Sequence, residues 1–128
     1  MHHDLTFTID CTGDVVAGDV ILFTEAVFTG SYKKPKFAGE RRIAAEVIRD
    51  SYGAAKQQHT FTLKVLWSDG VQPLEAGTQT TRKGRNIYRQ WTLRQRWDDE
   101  EARTQKADEK HLRGAAARKL RDMRLAVL

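Results

Sequence analysis

The stretch "TTRKGRNIYRQWTLRQRW", residues 80–97, concentrates side chains that are suited to binding an anion. It holds six basic residues, three aromatic residues and no acidic residue. Cations displace counterions from phosphates, and flat rings stack on unpaired bases for about 1–3 kcal/mol each. The stretch therefore predicts a nucleic-acid surface. The residues predicted to contact phosphate or base are Arg82, Lys83, Arg85, Tyr88 and Arg94.

The centre of this stretch, residues 85–94, is rich in residues that favour strands. A strand would place alternate side chains on opposite faces. One face would hold Ile87, Arg89, Trp91 and Leu93, and the other Asn86, Tyr88, Gln90, Thr92 and Arg94. The first face would pack on the core, and the second would meet the ligand. The alternative is that the aromatic residues, Trp91 and Trp97 above all, belong to the core or its rim and that the arginines are solvated.

A second basic cluster lies in "TGSYKKPKFAGERR", residues 29–42, which its Gly, Ser and Pro content predicts to be a loop. Its lysines, Lys33, Lys34 and Lys36, would extend the nucleic-acid surface, and Tyr32 and Phe37 repeat the pairing of basic and aromatic residues. A lysine loop that only aids solubility is an equal alternative. A third candidate patch is formed by Arg118, Lys119, Arg121 and Arg124.

The net charge is unevenly distributed along the chain. The formal net charge of +5 and the pI near 9.6 hide a net charge of −2 over residues 1–81 and +7 over residues 82–128. Such asymmetry indicates an anionic partner for the basic half, and nucleic acid is the usual one. A basic surface that only keeps a small protein soluble is the alternative.

The charge changes sign abruptly at "DDEE", residues 98–101. A helix favours a capping oxygen and acidic groups in its first turn, because its exposed N–H groups carry partial positive charge. We therefore predict a helix over residues 98–124 whose first half projects into solvent or packs lightly. Its second half has an apolar stripe that would dock on the sheet or pair with a second copy: Leu112, Ala116, Leu120, Met123 and Val127. Gly114 permits a break.

The rest of the chain predicts strands. Leu5, Phe7 and Ile9 alternate with threonines, and residues 20–28, 42–50 and 59–67 are strand-like. The alanines and Glu46 of residues 42–50 would also permit a short helix. With the basic stretch, these give five strands. We predict a single α+β domain over residues 1–128, with a small, mostly antiparallel five-stranded sheet or partly open β-barrel over 4–97, followed by the C-terminal α-helix.

The segment "AGDVILF", residues 17–23, resembles the Gly-Asp strand starts of several small β-barrels, including the RNA-associated PUA-like group. The resemblance covers seven residues. It implies a barrel-like sheet, and it assigns no function, because that fold also hosts unrelated tasks.

Residues for catalysis or metal binding are not singled out by the sequence. Cys11 and His59 lack a motif that would bring them together, and His111 has no second histidine at ligand spacing. We therefore predict neither catalytic activity nor a cofactor. A single cysteine, no apolar run of roughly 18 residues and no secretory N-terminal pattern predict a cytoplasmic protein without a membrane partner.

The sequence thus predicts a non-catalytic nucleic-acid-binding protein that contacts the phosphate backbone through a basic ribbon. The nucleic acid is DNA or RNA. The alternative is a small phage- or plasmid-type inhibitor or adaptor that binds another protein, for example a host nuclease complex. Exposed Trp and Arg also form hot spots in protein interfaces. A protein partner, or self-association through the helix, therefore stays open.

Overall fold

Within residues 4–52 and 59–127, the strands of this protein form one open, six-stranded sheet. The computed structural model describes residues 4–52 and 59–127. Its elements are a short 3-10 helix (Asp4–Thr6), β1 (Ile9–Asp10), β2 (Val20–Gly30), β3 (Pro35–Tyr52), β4 (His59–Gly70), β5 (Gln79–Lys83), α1 (Gly84–Ile87), β6 (Leu93–Arg94) and α2 (Glu100–Val127). The strand order is β1-β6-β2-β3-β4-β5, with antiparallel neighbours. The predicted α+β fold with a mostly antiparallel sheet is confirmed, but the sheet has six strands and does not close.

The three long central strands, β2, β3 and β4, carry apolar side chains on both faces. The larger cluster contains Cys11, Val15, Ile21, Phe23, Ile43, Ala45, Val47, Phe61, Leu63, Val65 and Ile87. The smaller cluster, on the opposite face, contains Phe7, Leu22 and Ala44, with Val20, Trp67 and Leu93 packed against it. The two-residue period of a strand produces this division, because Ile21 and Leu22 point in opposite directions.

The segment predicted as a loop, residues 29–42, is instead the turn and returning strand of the β2–β3 hairpin. Phe28 pairs with Phe37, and Gly30 pairs with Pro35. Gly30 has a φ of 88°, which a residue with a side chain rarely adopts. The Lys34 N–H donates to the carbonyl of Ser31 at 3.1 Å. The loop prediction is wrong because Gly and Ser form only the tight turn.

The first predicted strand is mostly replaced by other structure. Residues Asp4–Thr6 form the 3-10 helix, and only Ile9–Asp10 join the sheet. Leu5 is 92% exposed, whereas Phe7 is buried. The prediction that Leu5, Phe7 and Ile9 share a face is therefore wrong for Leu5, because the helical turn breaks the alternation.

The predicted strand over residues 85–94 is also wrong. The chain leaves the sheet at Gly84, forms the single turn α1, and re-enters it at Leu93 beside β2. It must do so because β5 and β6 are separated by three strands. The predicted faces consequently change. Thr92 is buried and its hydroxyl donates to the carbonyl of Ile87 at 2.8 Å, whereas Trp91 is 77% exposed.

Helix α2 begins where the acidic block predicts it. The Asp99 carboxylate accepts hydrogen bonds from the N–H groups of Glu101 and Ala102, at 3.1 and 3.3 Å. This is N-cap geometry, and the predicted helical role of the acidic block is confirmed. The helix is continuous from Glu100 to Val127, so the break that Gly114 would permit does not occur.

The anchoring of α2 is the reverse of the prediction. The first half carries the buried residues, Arg103, Ala107 and Lys110, and the second half exposes Leu112, Leu120 and Met123. The side chain of Val127 lies outside the described part of the chain. The helix docks through long cationic side chains: Lys110 donates to the carbonyl of Val15 at 2.7 Å. Apolar periodicity does not report this kind of docking.

Asp19, fully buried at the start of β2, is the main attachment point of α2. Its Oδ1 accepts from the indole N–H of Trp97 at 2.7 Å and from Arg103 Nε at 2.8 Å. Its Oδ2 accepts from Arg103 Nη2 and from the Val16 N–H, both at 2.9 Å. All these donors compensate the cost of burying a carboxylate.

Substituting Asp19→Ala should destabilise the fold by about 3–5 kcal/mol, because it leaves the Arg103 guanidinium buried without its counter-charge. Urea unfolding at neutral pH measures the loss. Asp14→Ala is the control, since Asp14 is half-exposed and contacts the same guanidinium at 3.5 Å. It should cost less than about 1 kcal/mol. Equal losses in the two variants would contradict the central role of Asp19.

Candidate nucleic-acid interface

Arg82, predicted to bind phosphate, is engaged inside the protein. It donates to both oxygens of Glu25, from Nε at 2.8 Å and from Nη2 at 3.0 Å. Arg41 Nε donates to the same carboxylate at 2.7 Å. Burial raises the pKa of Glu25, but these hydrogen bonds outweigh it and hold that pKa below its usual value. Arg82 therefore ties β5 to β2.

Tyr88, predicted to stack on a base, packs against the core. Its hydroxyl accepts a hydrogen bond from the Val15 N–H at 2.9 Å, and its ring meets Phe61 edge-to-face at a centroid distance of 6.2 Å. Burial raises the pKa of this phenol above its ordinary value. The ring thus packs on the core beside α1. The sequence-based prediction turned this ring towards a ligand, because it treated residues 85–94 as a strand.

Arg94 is 6% exposed and connects β6 to the start of α2. Its Nη1 and Nη2 donate to the two oxygens of Glu100 at 3.0 and 2.8 Å. The Trp97 N–H also donates to Glu100, at 2.9 Å. These donors, Arg94 first, lower the pKa of Glu100 to about 2. The structure thus separates the predicted set: Arg82, Tyr88 and Arg94 are internal, whereas Lys83 and Arg85 are exposed.

The second predicted cluster lies at the end of the β2–β3 hairpin. We call this surface the hairpin tip; it comprises Phe28, Tyr32, Lys33, Lys34, Lys36 and Phe37, all exposed. The pairing of β3 with β4 begins only at Arg41, so the tip extends beyond the neighbouring strand. No acidic residue occurs between residues 26 and 39. The tip is therefore a two-stranded ribbon with one sign of charge.

The rings of the hairpin tip are unusually open to solvent. Tyr32 is 99% exposed, and Phe28 and Phe37 form an edge-to-face pair across the two strands at 5.9 Å. Phe28 was not among the residues predicted to form this surface. The signal that would have found it is its position before "GSYKKP", with Phe37 just after it, which is a cross-strand pair once the turn is recognised.

A groove lies beside Trp91, the exposed tryptophan that the sequence placed in the core. Its volume is about 340 Å³, and it is lined by Leu22, Phe23, Thr24, Arg42, Gln90, Trp91 and Leu93. The Arg42 guanidinium is held by Asp69 at 2.9 Å and lies 5.3 Å from the centre of the Trp67 ring. Gln90 donates to Glu40 at 2.8 Å. Two of the polar side chains of this groove are thus fixed in place.

Cys11 and His59, the two candidates for a thiol–imidazole pair, are buried and half-buried, respectively. Cys11 is buried and donates weakly to the carbonyl of Thr92 at 3.5 Å; burial raises the pKa of its thiol to about 12. His59 Nε2 lies 3.4 Å from Asp50 Oδ2, and burial lowers the pKa of His59.

Across residues 4–52 and 59–127, no three His, Cys, Asp or Glu side chains are grouped to hold a metal ion. In the same residues, no helix is both long and apolar enough to span a membrane.

The fold and this surface define a small α+β domain with a protruding basic hairpin. The chain belongs to the family described as a domain of unknown function (DUF7699), whose profile matches residues 11–97. That range includes the hairpin tip, the Trp91 groove and Asp19, and it ends before α2. No solved structure matches this chain.

A rice protein, "Zinc finger CCCH domain-containing protein 62" from Oryza sativa subsp. japonica, is 41% identical over 125 residues. The match covers 94% of this chain and 18% of that protein, so the chain spans less than a fifth of its relative's length. Cys11 is the one cysteine of the sequence. The chain therefore cannot itself form a zinc site of three cysteines and one histidine.

The Arg94–Glu100 pair should make stability depend on acidity. A carboxylate whose pKa is lowered on folding contributes stability that is present above its unfolded pKa of 4.5 and is lost as pH falls towards about 2. Glu100→Gln should therefore reduce the urea midpoint at neutral pH, and its difference from the native chain should shrink between about pH 4.5 and pH 2. A difference that stays constant over this range would contradict the assignment.

Proposed function

We propose that this domain binds nucleic acid, chiefly through the phosphate backbone, and catalyses no reaction on it. The hairpin tip carries the proposal. It combines three exposed lysines with three exposed rings on one projecting ribbon. The proposed site differs from the predicted one, because Arg82, Tyr88 and Arg94 have partners within the protein, whereas Lys83, Arg85 and Arg89 are the exposed cations of residues 82–94.

The shape of the tip supports backbone binding. A two-stranded β-ribbon is narrow enough to enter the major groove of a duplex or to lie along a single strand. Lys33 and Lys34 lie in the turn, and Lys36 is the second residue of the returning strand, which begins at Pro35. An ammonium group binds phosphate as a point charge and does not need a rigid geometry. Lysines at a turn therefore suit a sequence-independent backbone contact.

The exposed rings favour binding over solubility alone. Lysines by themselves would keep a protein soluble, but an exposed Tyr32 and the exposed Phe28–Phe37 pair work against solubility. Rings beside cations are used to stack on bases in proteins that bind single-stranded nucleic acid. The combination is thus explained by a ligand that offers both phosphates and planar rings.

The relative's name gives independent support of a general kind. Zinc fingers are common nucleic-acid-binding modules, and the similar region in the rice protein belongs to a chain named for a CCCH zinc finger. A domain beside such a module would add affinity by multivalency.

The third predicted patch, on α2, is described only in part. Lys119 and Arg124 on α2 are exposed and would extend the surface, whereas the side chains of Arg118 and Arg121 lie outside the described part of the chain.

Changing Lys33, Lys34 and Lys36 together to Ser should weaken binding to any nucleic acid. Loss of three phosphate contacts should reduce the slope of log affinity against log salt by about 2–3. Fluorescence anisotropy with labelled RNA, single-stranded DNA and duplex DNA across a salt series measures both quantities.

A matched control removes three positive charges elsewhere: Arg49, Lys64 and Lys106, each changed to Ser. These residues are exposed and lie on β3, β4 and α2. The control should retain most of the affinity, since net charge alone gives only a long-range contribution that salt screens. If the two triple variants lose affinity equally, the tip is not the binding surface. If the native chain binds none of the probes at low salt, the proposed function is wrong.

A second candidate is binding to another protein, and the second half of α2 favours it. Leu112, Leu120 and Met123 are exposed there, although the sequence pattern favoured docking on the sheet. The comparison lends no support to a phage or plasmid origin. Light scattering of the native chain and a Leu112→Glu, Leu120→Glu variant tests self-association. A monomer in both cases would exclude a second copy as the occupant.

A further inference from the structure

The groove beside Trp91 offers chemistry that the hairpin tip lacks. Its apolar lining comes from Leu22, Leu93 and Trp91, and its polar lining includes Arg42 and Gln90. The volume of about 340 Å³ is within the range of roughly 300–1,000 Å³ that small-molecule sites occupy. The groove is thus large enough for a planar ring system and combines an indole, a guanidinium and an amide at one place.

The exposure of Trp91 favours a role in ligand binding, because a large ring that stays in water does not gain the stabilisation that burial gives. The other two tryptophans are used internally. Trp67 packs edge-to-face with Phe7 at 6.5 Å, and Trp97 donates its indole N–H to Asp19. Trp91, at 77% exposure, is the aromatic residue of the groove that remains open to an incoming ring.

The polar side chains of the groove are already oriented. Asp69 holds Arg42, and Glu40 holds the amide nitrogen of Gln90. A side-chain amide carries both donors and acceptors, which match the edge of a nucleobase. Orientation before binding lowers the entropy cost of the complex. A base stacked on Trp91 would therefore meet hydrogen-bonding groups at fixed positions.

The groove and the hairpin tip lie along the same β2–β3 hairpin. Thr24, in the lining of the groove, and Phe28, at the tip, are four residues apart on β2, which is about 13 Å along a strand. Their partners across the pair are Arg42 and Phe37, with a register shift between Val27 and Phe28. A nucleic-acid backbone held by the lysines at the tip therefore has only a short distance to span along the hairpin to reach Trp91.

We infer that the Trp91 groove binds one unpaired nucleobase, stacked on the indole, and that the domain consequently prefers single-stranded nucleic acid to duplex. The inference rests on the proposed function, because the lysines of the hairpin tip bring the backbone to the groove. The charge beside the groove favours a nucleobase over an apolar protein side chain as the occupant. The adjoining segment, residues 26–39, carries three lysines and no acidic residue, so it attracts an anionic chain. A paired base is stacked between its neighbours and cannot enter the groove.

Trp91→Ala tests the inference in the anisotropy assay with labelled single-stranded RNA, single-stranded DNA and duplex. It should lower single-strand affinity by about 5- to 150-fold, which is the range for loss of one base–aromatic stack. Affinity for duplex should not change. Trp91→Phe should restore most of the loss, since phenylalanine keeps a flat ring. Comparing the affinities for single-stranded RNA and DNA shows whether the sugar contributes to binding.

An abasic oligonucleotide of the same length is the control for base recognition. The native chain and Trp91→Ala should bind it equally, because the base that the groove takes is missing. Thermal unfolding of Trp91→Ala should match that of the native chain, as expected for an exposed side chain. A Trp91→Ala effect of the same size on the abasic probe would overturn the inference, since the groove would then act on the backbone.

The two hypotheses fail in different ways. If Trp91→Ala binds single strands as tightly as the native chain, the groove is not a base site, and the hairpin-lysine variant still decides the proposed function. If the native chain binds duplex better than single strands, the preference for unpaired bases is overturned while nucleic-acid binding stands. If the native chain binds no probe, both are wrong.

Discussion

The buried carboxylate of Asp19 is the constraint on which the arrangement of this domain depends. It lies at the entry of β2, and it fixes three separate parts of the chain: the turn at Val16, the indole of Trp97 and the guanidinium of Arg103. A buried charge is stable only when its partners are in place. Helix α2 can therefore dock in one position, although its contact surface has few apolar residues. The Trp97 ring also covers Gly18, where a Cβ would come within 2.8 Å of it.

Arginine and lysine serve different purposes in this protein. Arg82, Arg94 and Arg103 form bidentate pairs with carboxylates, which suits the planar, weakly hydrated guanidinium. Lys33, Lys34 and Lys36 remain in solvent at the hairpin tip. Lys110 is an exception, because it is buried against the Val15 carbonyl and the Phe61 ring. A basic segment is thus a weak indicator of a binding surface until each guanidinium has been matched to a carboxylate.

The sequence predicted the fold class, the antiparallel central strands and the capped start of α2, because these depend on local periodicity and helix-end chemistry. It failed where long-range topology decides. Residues 85–94 have strand composition, but the chain must cross three strands there, and Ile87 and Thr92 turn inward while Trp91 turns outward. Arg82 and Arg94 looked available because their partners, Glu25 and Glu100, lie on other elements. The lysines of the hairpin tip were predicted correctly as exposed cations, but their presentation on a paired ribbon was not.

The hairpin tip and the Trp91 groove leave large rings exposed to water. The fold tolerates this because the rest of the domain is stabilised by other contacts. Exposed rings contribute less to the stability of the free protein than buried ones, and natural sequences commonly accept such locally unfavourable choices at functional sites. Here the compensation is visible. The Arg41–Glu25–Arg82 cluster secures the base of the hairpin, and Asp69 and Glu40 hold the polar side chains of the groove. Paired side chains thus hold the strand from which the exposed hairpin tip projects and the groove beside the exposed Trp91.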